Sequence, residues 1–354
     1  SNLPSTMNGG KDFCHWSPDD TRIATAFGPL VERVLGRYGK GLVKAALGES
    51  YYEKGRDSYQ VITLLTRAQM ETERGGVQEI AFAAVGVRVR LAAVRGDIQA
   101  AGELLDSFEQ SVREDGTLQL LPNIQALKCR LALYEGNMDA AEKWMETAPD
   151  EDKEFFSIER YRYLTKVRCY LAKGEYLTAQ ALLEKLRYYA EQTNRPYVRM
   201  ETGLLSAIVK ERMGGEWREE LRAVLGEAEK YRFLRLVSEE GAAVWPLLRQ
   251  EKKALSGAGE LDKDWLRRLL DDTEEMARRY PLYLKKRTAT AADFGETALT
   301  ILQLQADGLS VNQIAQRLEM KPFTVSYHIK ENYRKLNASR KADALLAARS
   351  LGIL

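Results

Sequence analysis

A glycine recurs along the chain at nearly constant spacing, and this repeat limits the fold more than any other feature. Similar phrases surround Gly55, Gly96, Gly136 and Gly174, and a fainter copy surrounds Gly215. Successive glycines are 41, 40, 38 and 41 residues apart. An Ala-rich apolar stretch follows each glycine, and in three copies an Asp or Asn just after the glycine is suited to cap the second helix. Because glycine accepts the left-handed backbone that ends a helix, the pattern predicts a helix, a tight turn and a second helix in each copy.

A single helical pair cannot bury its own apolar face, so the copies are expected to stack into a superhelix. The period slightly exceeds the roughly 34 residues of a tetratricopeptide repeat (TPR). Prolines lie between the predicted helices, and no alternating stretch is long enough for a strand. The sequence therefore predicts an all-α chain with a TPR-like repeat domain over residues 18–281, after a disordered tail over 1–17. Unrelated helical hairpins with glycine turns are the alternative.

Composition excludes several function classes. The 354 residues include 53 Lys and Arg against 51 Asp and Glu, a net charge of +2 that rules out a bulk polycation. Two distant histidines and three scattered cysteines form no pattern typical of a metal site, a disulfide framework or a catalytic triad. No nucleophile–base pair or cofactor motif is found, and residues 36–41 do not match a phosphate-binding loop. We therefore predict no catalytic residues, no metal and no cofactor.

No apolar run is long enough to span a membrane and no signal peptide is seen, so we expect a cytoplasmic protein without membrane contact. The chain begins with Ser1 and Asn2 rather than Met, which is typical of the remnant of a cleaved tag.

The last part of the chain has a different pattern from the repeats. After a linker over residues 282–292, four short helices are predicted at 295–307, 311–318, 323–336 and 340–350. Ser310 and Gln313 are spaced as a capping box, and Pro322 suits the first turn of the third helix. The short turn between the second and third helices gives the helix-turn-helix pattern. Residues 293–354 are therefore predicted to form a separate small domain.

Local charge in this domain departs from the neutral total. The stretch from Met320 to Lys341 contains six basic residues and one acidic residue, a charge of +5. The basic residues are Lys321, Lys330, Arg334, Lys335, Arg340 and Lys341. Such a patch neutralises phosphates whatever the charge of the whole chain. Combined with the helix-turn-helix spacing, it favours a DNA-binding face over a solvated helix surface.

Residues 306–318, 324–329 and 333–336 resemble the LuxR-type helix-turn-helix. The repeats, together with Phe233-Leu234-Arg235 and Glu239-Glu240-Gly241, resemble more loosely the sensor region of MalT-like large LuxR regulators. Residues 294–298 depart from the usual opening motif of the domain. Lys321 stands where the family commonly has Ser, and Ser326 where it often has Lys.

The resemblance implies that the third helix of the domain enters the major groove of DNA. By position, Ser326, Tyr327 and Lys330 would meet base edges. Thr324, Arg334 and Lys335 would contact phosphate, with Lys321 and Arg340 in support. This division agrees with the general placement of base and phosphate contacts on recognition helices.

The implied function is a DNA-binding transcription regulator whose repeats sense an effector and control operator binding. Expected partners are double-stranded operator DNA, a second copy of the chain through the fourth helix, a small-molecule or protein effector, and, as a candidate, RNA polymerase. An aromatic cluster between Phe155 and Tyr197 predicts an effector pocket, although core packing also explains such residues. The candidate pocket residues are Arg160, Tyr163, Tyr170, Tyr189, Tyr197 and Arg199. The alternative function is a protein-interaction adaptor whose last helices cap the repeats.

Overall fold

The computed structural model describes Cys14 and residues 17–151, 159–257, 261–287 and 289–354. The predicted tail over 1–17 lies almost wholly outside the described residues. Within them the chain forms eighteen α-helices and no strand, which confirms the all-α prediction. No helix in these ranges has the length and apolarity needed to cross a membrane. Packing of the Cα atoms divides the chain into two compact units: Ser1–Cys169 with Leu182–Lys285, and Tyr170–Ala181 with Lys286–Leu354.

The repeats and the helices that follow them supply fourteen of the helices. The first seven are α1 (Asp20–Leu35), α2 (Leu42–Glu53), α3 (Ser58–Glu73), α4 (Gln78–Val94), α5 (Ile98–Glu114), α6 (Leu121–Tyr134) and α7 (Met138–Met145). The next seven are α8 (Arg160–Lys173), α9 (Tyr176–Gln192), α10 (Pro196–Arg212), α11 (Arg218–Lys230), α12 (Arg235–Ser238), α13 (Gly241–Gly257) and α14 (Lys263–Arg279). Sequence neighbours such as α2 and α3, or α13 and α14, pack against each other as helical pairs.

The turns inside the pairs follow one geometry. Gly55, Gly96, Gly136 and Gly174 all have positive φ, between 59° and 88°, as the sequence predicts. The residue after each glycine donates its N–H to a carbonyl five residues back, as Asp97 does to Ala92 at 2.9 Å. This is the hydrogen bond that closes a Schellman motif at a helix end. The helical-turn prediction is confirmed at these four positions.

Side-chain caps begin the second helix in three copies. Asp57 accepts from the N–H of Tyr59, Asp97 from Ala100 and Asn137 from Ala140, at 2.8 to 3.1 Å. The predicted Asp and Asn caps are therefore confirmed.

The prediction for the fifth copy was wrong by one residue. The left-handed glycine there is Gly214, with φ 74°, and not Gly215. Gly215 instead donates its N–H to Lys210 at 2.8 Å, which is the role of the residue after the glycine in the other copies.

The C-terminal unit contains a four-helix domain. Its helices are α15 (Glu296–Ala306), α16 (Val311–Arg317), α17 (Pro322–Lys335) and α18 (Lys341–Ser350), all within one or two residues of the predicted bounds. Two apolar clusters hold them together. One contains Ile301, Leu304, Ile314, Ala315 and Val325, and the other Phe294, Ala298, Leu302, Leu336, Ala338, Ala344 and Ala348. Leu318 and Ile329 pack against the first cluster, and Tyr333 packs against the second.

Candidate nucleic-acid interface

The turn between α16 and α17 is built by local sequence. Ser310 accepts from the backbone of Gln313, and the Gln313 side chain accepts from the backbone of Ser310, so the predicted capping box is present. Glu319 takes a left-handed backbone (φ 54°) at the end of α16, and Met320 donates its N–H to Ala315 at 2.9 Å. Pro322 then opens α17, where its missing N–H costs nothing. These contacts set the angle at which α17 leaves the turn.

The inner face of α17 fixes how the helix is rotated about its axis. Val325 is fully buried in one of the apolar clusters, and Leu336 is buried in the other. Asn332 is also buried, and its Nδ2 donates to the carbonyl of Ala298 on α15 at 2.8 Å. With this face held against the domain, the opposite face of α17 is turned to solvent.

The solvent face carries the three predicted base-reading residues. Ser326, Tyr327 and Lys330 are all exposed, at the three- and four-residue spacing that places them on one side of the helix. Phe323 lies on the same face and is 82% exposed. The sequence prediction missed Phe323, although the signal was present: it is the one large apolar side chain in α17 outside the spacing of the domain core.

The five residues assigned to phosphate or support are not equivalent. Lys321, just before α17, and Arg340, just before α18, are exposed, whereas Thr324 is half-buried. Lys335 is also half-buried, because its Nζ donates to the carbonyl of Asp293 at 2.6 Å and lies 5.4 Å above the ring of Phe294. Lys335 is thus held against its own domain.

Arg334 is held by two carboxylates. Its guanidinium pairs with Glu331 one turn earlier, at 2.7 Å, and with Glu175 from the 170–181 segment of the same compact unit. Burial disfavours the charged form of the Arg334 guanidinium and by itself would lower its pKa. The hydrogen bonds to Glu331 and Glu175 have the larger combined effect, so the pKa of Arg334 is raised. In the same way, the hydrogen bond from Arg334 lowers the pKa of Glu331. The two carboxylates thus hold the Arg334 guanidinium against its own compact unit.

Asn337, just after α17, joins the 170–181 segment next to Arg334. Its Oδ1 accepts from the N–H of Tyr176 at 2.7 Å and from Leu177 at 3.4 Å, so it caps the start of α9. Its Nδ2 donates to the carbonyl of Gly174 at 2.7 Å. In this copy of the repeat, the cap comes from a residue about 160 positions away in sequence, which spacing could not indicate.

The predicted effector residues have diverse surroundings. Arg160 and Tyr163 are buried, and the Tyr163 hydroxyl donates to the carbonyl of Asp150 at 2.8 Å. Arg199 forms an ion pair with Glu227. Tyr170 and Tyr189 are half-buried. Tyr197 is buried beside a cavity in the first compact unit, the one that contains most of the repeats. That these six residues bind an effector remains a prediction.

A buried ionic network surrounds that cavity. Arg90 pairs with Glu53 at 2.8 Å and with Glu239 at 2.6 Å. Arg168 pairs with Glu201 at 2.9 Å and also with Glu240. The cavity left between these groups is about 30 Å³, room for one or two water molecules. Glu239 and Glu240, noted in the sequence only as part of a motif, are therefore ion-pair partners of arginines of the repeats.

The titration of Glu53 is shifted by its position in this network. Burial raises the pKa of the Glu53 carboxyl to about 7, because the nearby charge of Arg90 offsets the loss of hydration only in part. The Tyr197 hydroxyl donates to the same carboxylate at 3.0 Å.

Two family models match the chain. Residues 64–254 match the model described as MalT-like TPR region. Residues 294–348 match the model described as Bacterial regulatory proteins, luxR family. The first match covers more than half of the chain, and the second coincides with the four-helix domain. No solved structure matches the chain.

Two curated relatives carry the name HTH-type transcriptional regulator MalT. One is from Vibrio campbellii (strain ATCC BAA-1116) and the other from Vibrio parahaemolyticus serotype O3:K6 (strain RIMD 2210633). Each is 22% identical over 282 residues, which cover 74% of this chain and 31% of the relative. The chain therefore spans about a third of the length of these relatives.

Proposed function

The chain belongs to the family with the MalT-like TPR region and carries a C-terminal domain of the luxR family, and on this premise we propose that it is a DNA-binding transcription regulator. The observation that carries the proposal is the solvent face of α17. Ser326, Tyr327 and Lys330 are exposed together within the first nine residues of the second helix of a helix-turn-helix. Recognition helices meet base edges at this position.

The flanking charges support the same role. Lys321 and Arg340 are exposed at the two ends of the α17 region, where phosphate contacts would fix its register on the duplex. Thr324, Arg334 and Lys335 stay in the proposal as phosphate contacts, the last two after release from their present partners. The family match points to a regulator rather than an enzyme, and it favours DNA binding over the adaptor function.

We extend the proposal to a dimer on DNA and to sensing by the repeats. Leu346 on α18 is 71% exposed, which supports a contact between two copies of the fourth helix. An effector bound to the repeats would shift the population of DNA-binding states, and RNA polymerase would respond to the bound regulator. Because the proposed partner is DNA, we expect the protein in the bacterial cytoplasm.

Duplex DNA binding followed by fluorescence anisotropy tests the proposal. Lys330→Ala is expected to weaken binding by about 1–3 kcal/mol and to alter sequence preference, because Lys330 faces the bases. Arg334→Ala is expected to weaken binding to all sequences alike. Lys253→Ala removes an exposed lysine of α13 and serves as the control. A folded protein that fails to bind, or binds without salt dependence, would support the adaptor instead.

A thermal-shift screen tests the effector part separately. Oligosaccharides and peptides are suitable ligand classes because both can use aromatic and arginine side chains. Binding that Tyr197→Phe or Arg199→Ala weakens would support the predicted pocket. If neither oligosaccharides nor peptides change the melting temperature, the predicted pocket is removed from the proposal.

A further inference from the structure

The recognition face of α17 contains an apolar patch in a basic surrounding. Phe323 is 82% exposed and Tyr327, one turn later, is 58% exposed. Exposed Lys321 and Lys330 lie near them on the same helix or its cap. Leaving a phenylalanine ring in water forgoes the free energy gained when it is buried, so an exposed ring on an otherwise polar face points to a partner.

Position on the helix limits what that partner can be. Phe323 is the second residue of α17, in the first turn, and the first turn of a recognition helix lies nearest the base edges. The ring has neither donor nor acceptor, so it cannot read the hydrogen-bonding groups of a base. The apolar group that the major groove offers is the C5-methyl group of thymine.

We propose that Phe323 is a specificity-determining residue that contacts the C5-methyl group of a thymine in each half-site. The inference rests on the proposed DNA-binding function and adds to it the base that is read. Tyr327 lies four residues on, about 6 Å along the helix axis. Since base pairs are stacked about 3.4 Å apart, its ring meets the groove within about two base-pair steps of that thymine.

The alternative occupant of the patch is another protein surface. The charges beside it favour DNA: α17 and the preceding Lys321 together contribute +3 of the +5 charge of residues 320–341, and Lys330 shares the exposed face of Phe323. If the patch served a protein partner instead, DNA binding would be insensitive to loss of the thymine methyl groups, and the test below measures this.

The experiment uses the full chain and a preferred duplex selected from a random-sequence pool. Each thymine of that duplex is then replaced singly by deoxyuridine, which removes the methyl group and leaves the pairing edge unchanged. At one thymine in each half-site, the replacement is expected to weaken wild-type binding about fourfold, the value of one buried methyl group. Phe323→Ala is expected to bind more weakly and to lose the difference between thymine and deoxyuridine at that site alone.

Two further variants control the result. Phe323→Leu keeps an apolar contact and should retain part of the methyl sensitivity. Tyr59→Ala removes a 76% exposed aromatic ring from α3 and should leave the methyl sensitivity of DNA binding unchanged. A wild-type protein that tolerates deoxyuridine everywhere, or a Phe323→Ala protein that stays sensitive at the same thymine, overturns the inference. Failure to select any sequence refutes the proposed function itself, and the inference with it.

Discussion

Replacing Glu175 by Gln is expected to strengthen DNA binding, although this residue is predicted to touch no DNA. Glu175 pairs with Arg334 in the described structure, and Arg334 is a proposed phosphate contact. While the pair is intact, the carboxylate of Glu175 offsets the positive charge that would attract a phosphate. The substitution keeps the size of the side chain and a hydrogen-bond acceptor but removes the negative charge, so it should release Arg334 at lower cost.

The burial of the pair sets the size of the effect. The Arg334 side chain is 29% exposed and that of Glu175 is 8% exposed. Fully exposed ion pairs contribute about 0.2–1 kcal/mol because solvent screens them. Partial burial puts this pair near the top of that range, and Glu331 keeps part of the guanidinium occupied in both proteins. About 1 kcal/mol corresponds to a roughly fivefold lower Kd in Glu175→Gln.

The assay is fluorescence anisotropy of a labelled duplex of arbitrary sequence, because a phosphate contact does not depend on sequence. Glu216→Gln is the matched control, since Glu216 is an exposed glutamate in the turn of the fifth copy. The control removes the same charge from the chain without touching Arg334. In an Arg334→Ala background, Glu175→Gln should have no further effect, which closes a double-mutant cycle.

Two results would refute the reasoning. One is a Kd for Glu175→Gln no lower than that of Glu216→Gln. The other is a gain in affinity that persists in the Arg334→Ala background, since that gain would come from the lost charge alone. Circular dichroism of each variant checks that the helices are retained.

Four further substitutions are predicted to change stability, each measured by urea denaturation followed by circular dichroism. Gly136→Ala should destabilise the repeats by about 1–3 kcal/mol, because φ is 70° and the new Cβ would lie 2.8 Å from the Cβ of Leu282. Gly226→Ala, in the open interior of α11, should instead stabilise them by about 0.5–1 kcal/mol, and the reverse order would contradict the turn geometry. Burial raises the pKa of Glu53 from its ordinary 4.5 to about 7, so the folded protein retains a proton that the unfolded chain has lost. The contribution of Glu53 to the free energy of unfolding should therefore fall by up to about 3 kcal/mol as the pH rises from about 4.5 to about 7. Glu53→Gln should abolish that fall. A pH profile of stability that is the same in Glu53→Gln as in the wild type would refute the pKa shift. Ser310→Ala should cost the C-terminal unit about 1 kcal/mol by removing the cap of α16, and full retention of stability would contradict it.

Much of the fold could be predicted because its determinants are local. The left-handed glycines 55, 96, 136 and 174 and the caps at Asp57, Asp97 and Asn137 depend on residues within one or two turns of each other. The same holds for the bounds of α15 to α18. The prediction for the fifth glycine was wrong for a reason that is also local. In Gly214-Gly215 two adjacent residues can adopt positive φ, and the repeat spacing does not distinguish between them.

The candidate site could be predicted only in part. Helical spacing identified the exposed face with Ser326, Tyr327 and Lys330, since the core side of α17 follows from its apolar positions. From the sequence, Arg334 and Lys335 were assigned to phosphate contacts together with Lys321, with no distinction between cations that are exposed and cations that are paired within the protein. Which cation is already paired depends on groups distant in sequence, such as Glu175 for Arg334 and Asp293 for Lys335.

The sequence by itself thus determined the helical pairs, the helix-turn-helix and the basic face of α17, because periodicity, capping and local charge act over a few residues. Only the tertiary structure decided which charges are neutralised. Arg90 and Arg168 meet Glu239 and Glu240, and Arg334 meets Glu175, across separations of 72 to 159 residues. The physical reason is that an ion pair depends on distance in space and on burial, and the fold sets both once residues remote in the chain are packed together.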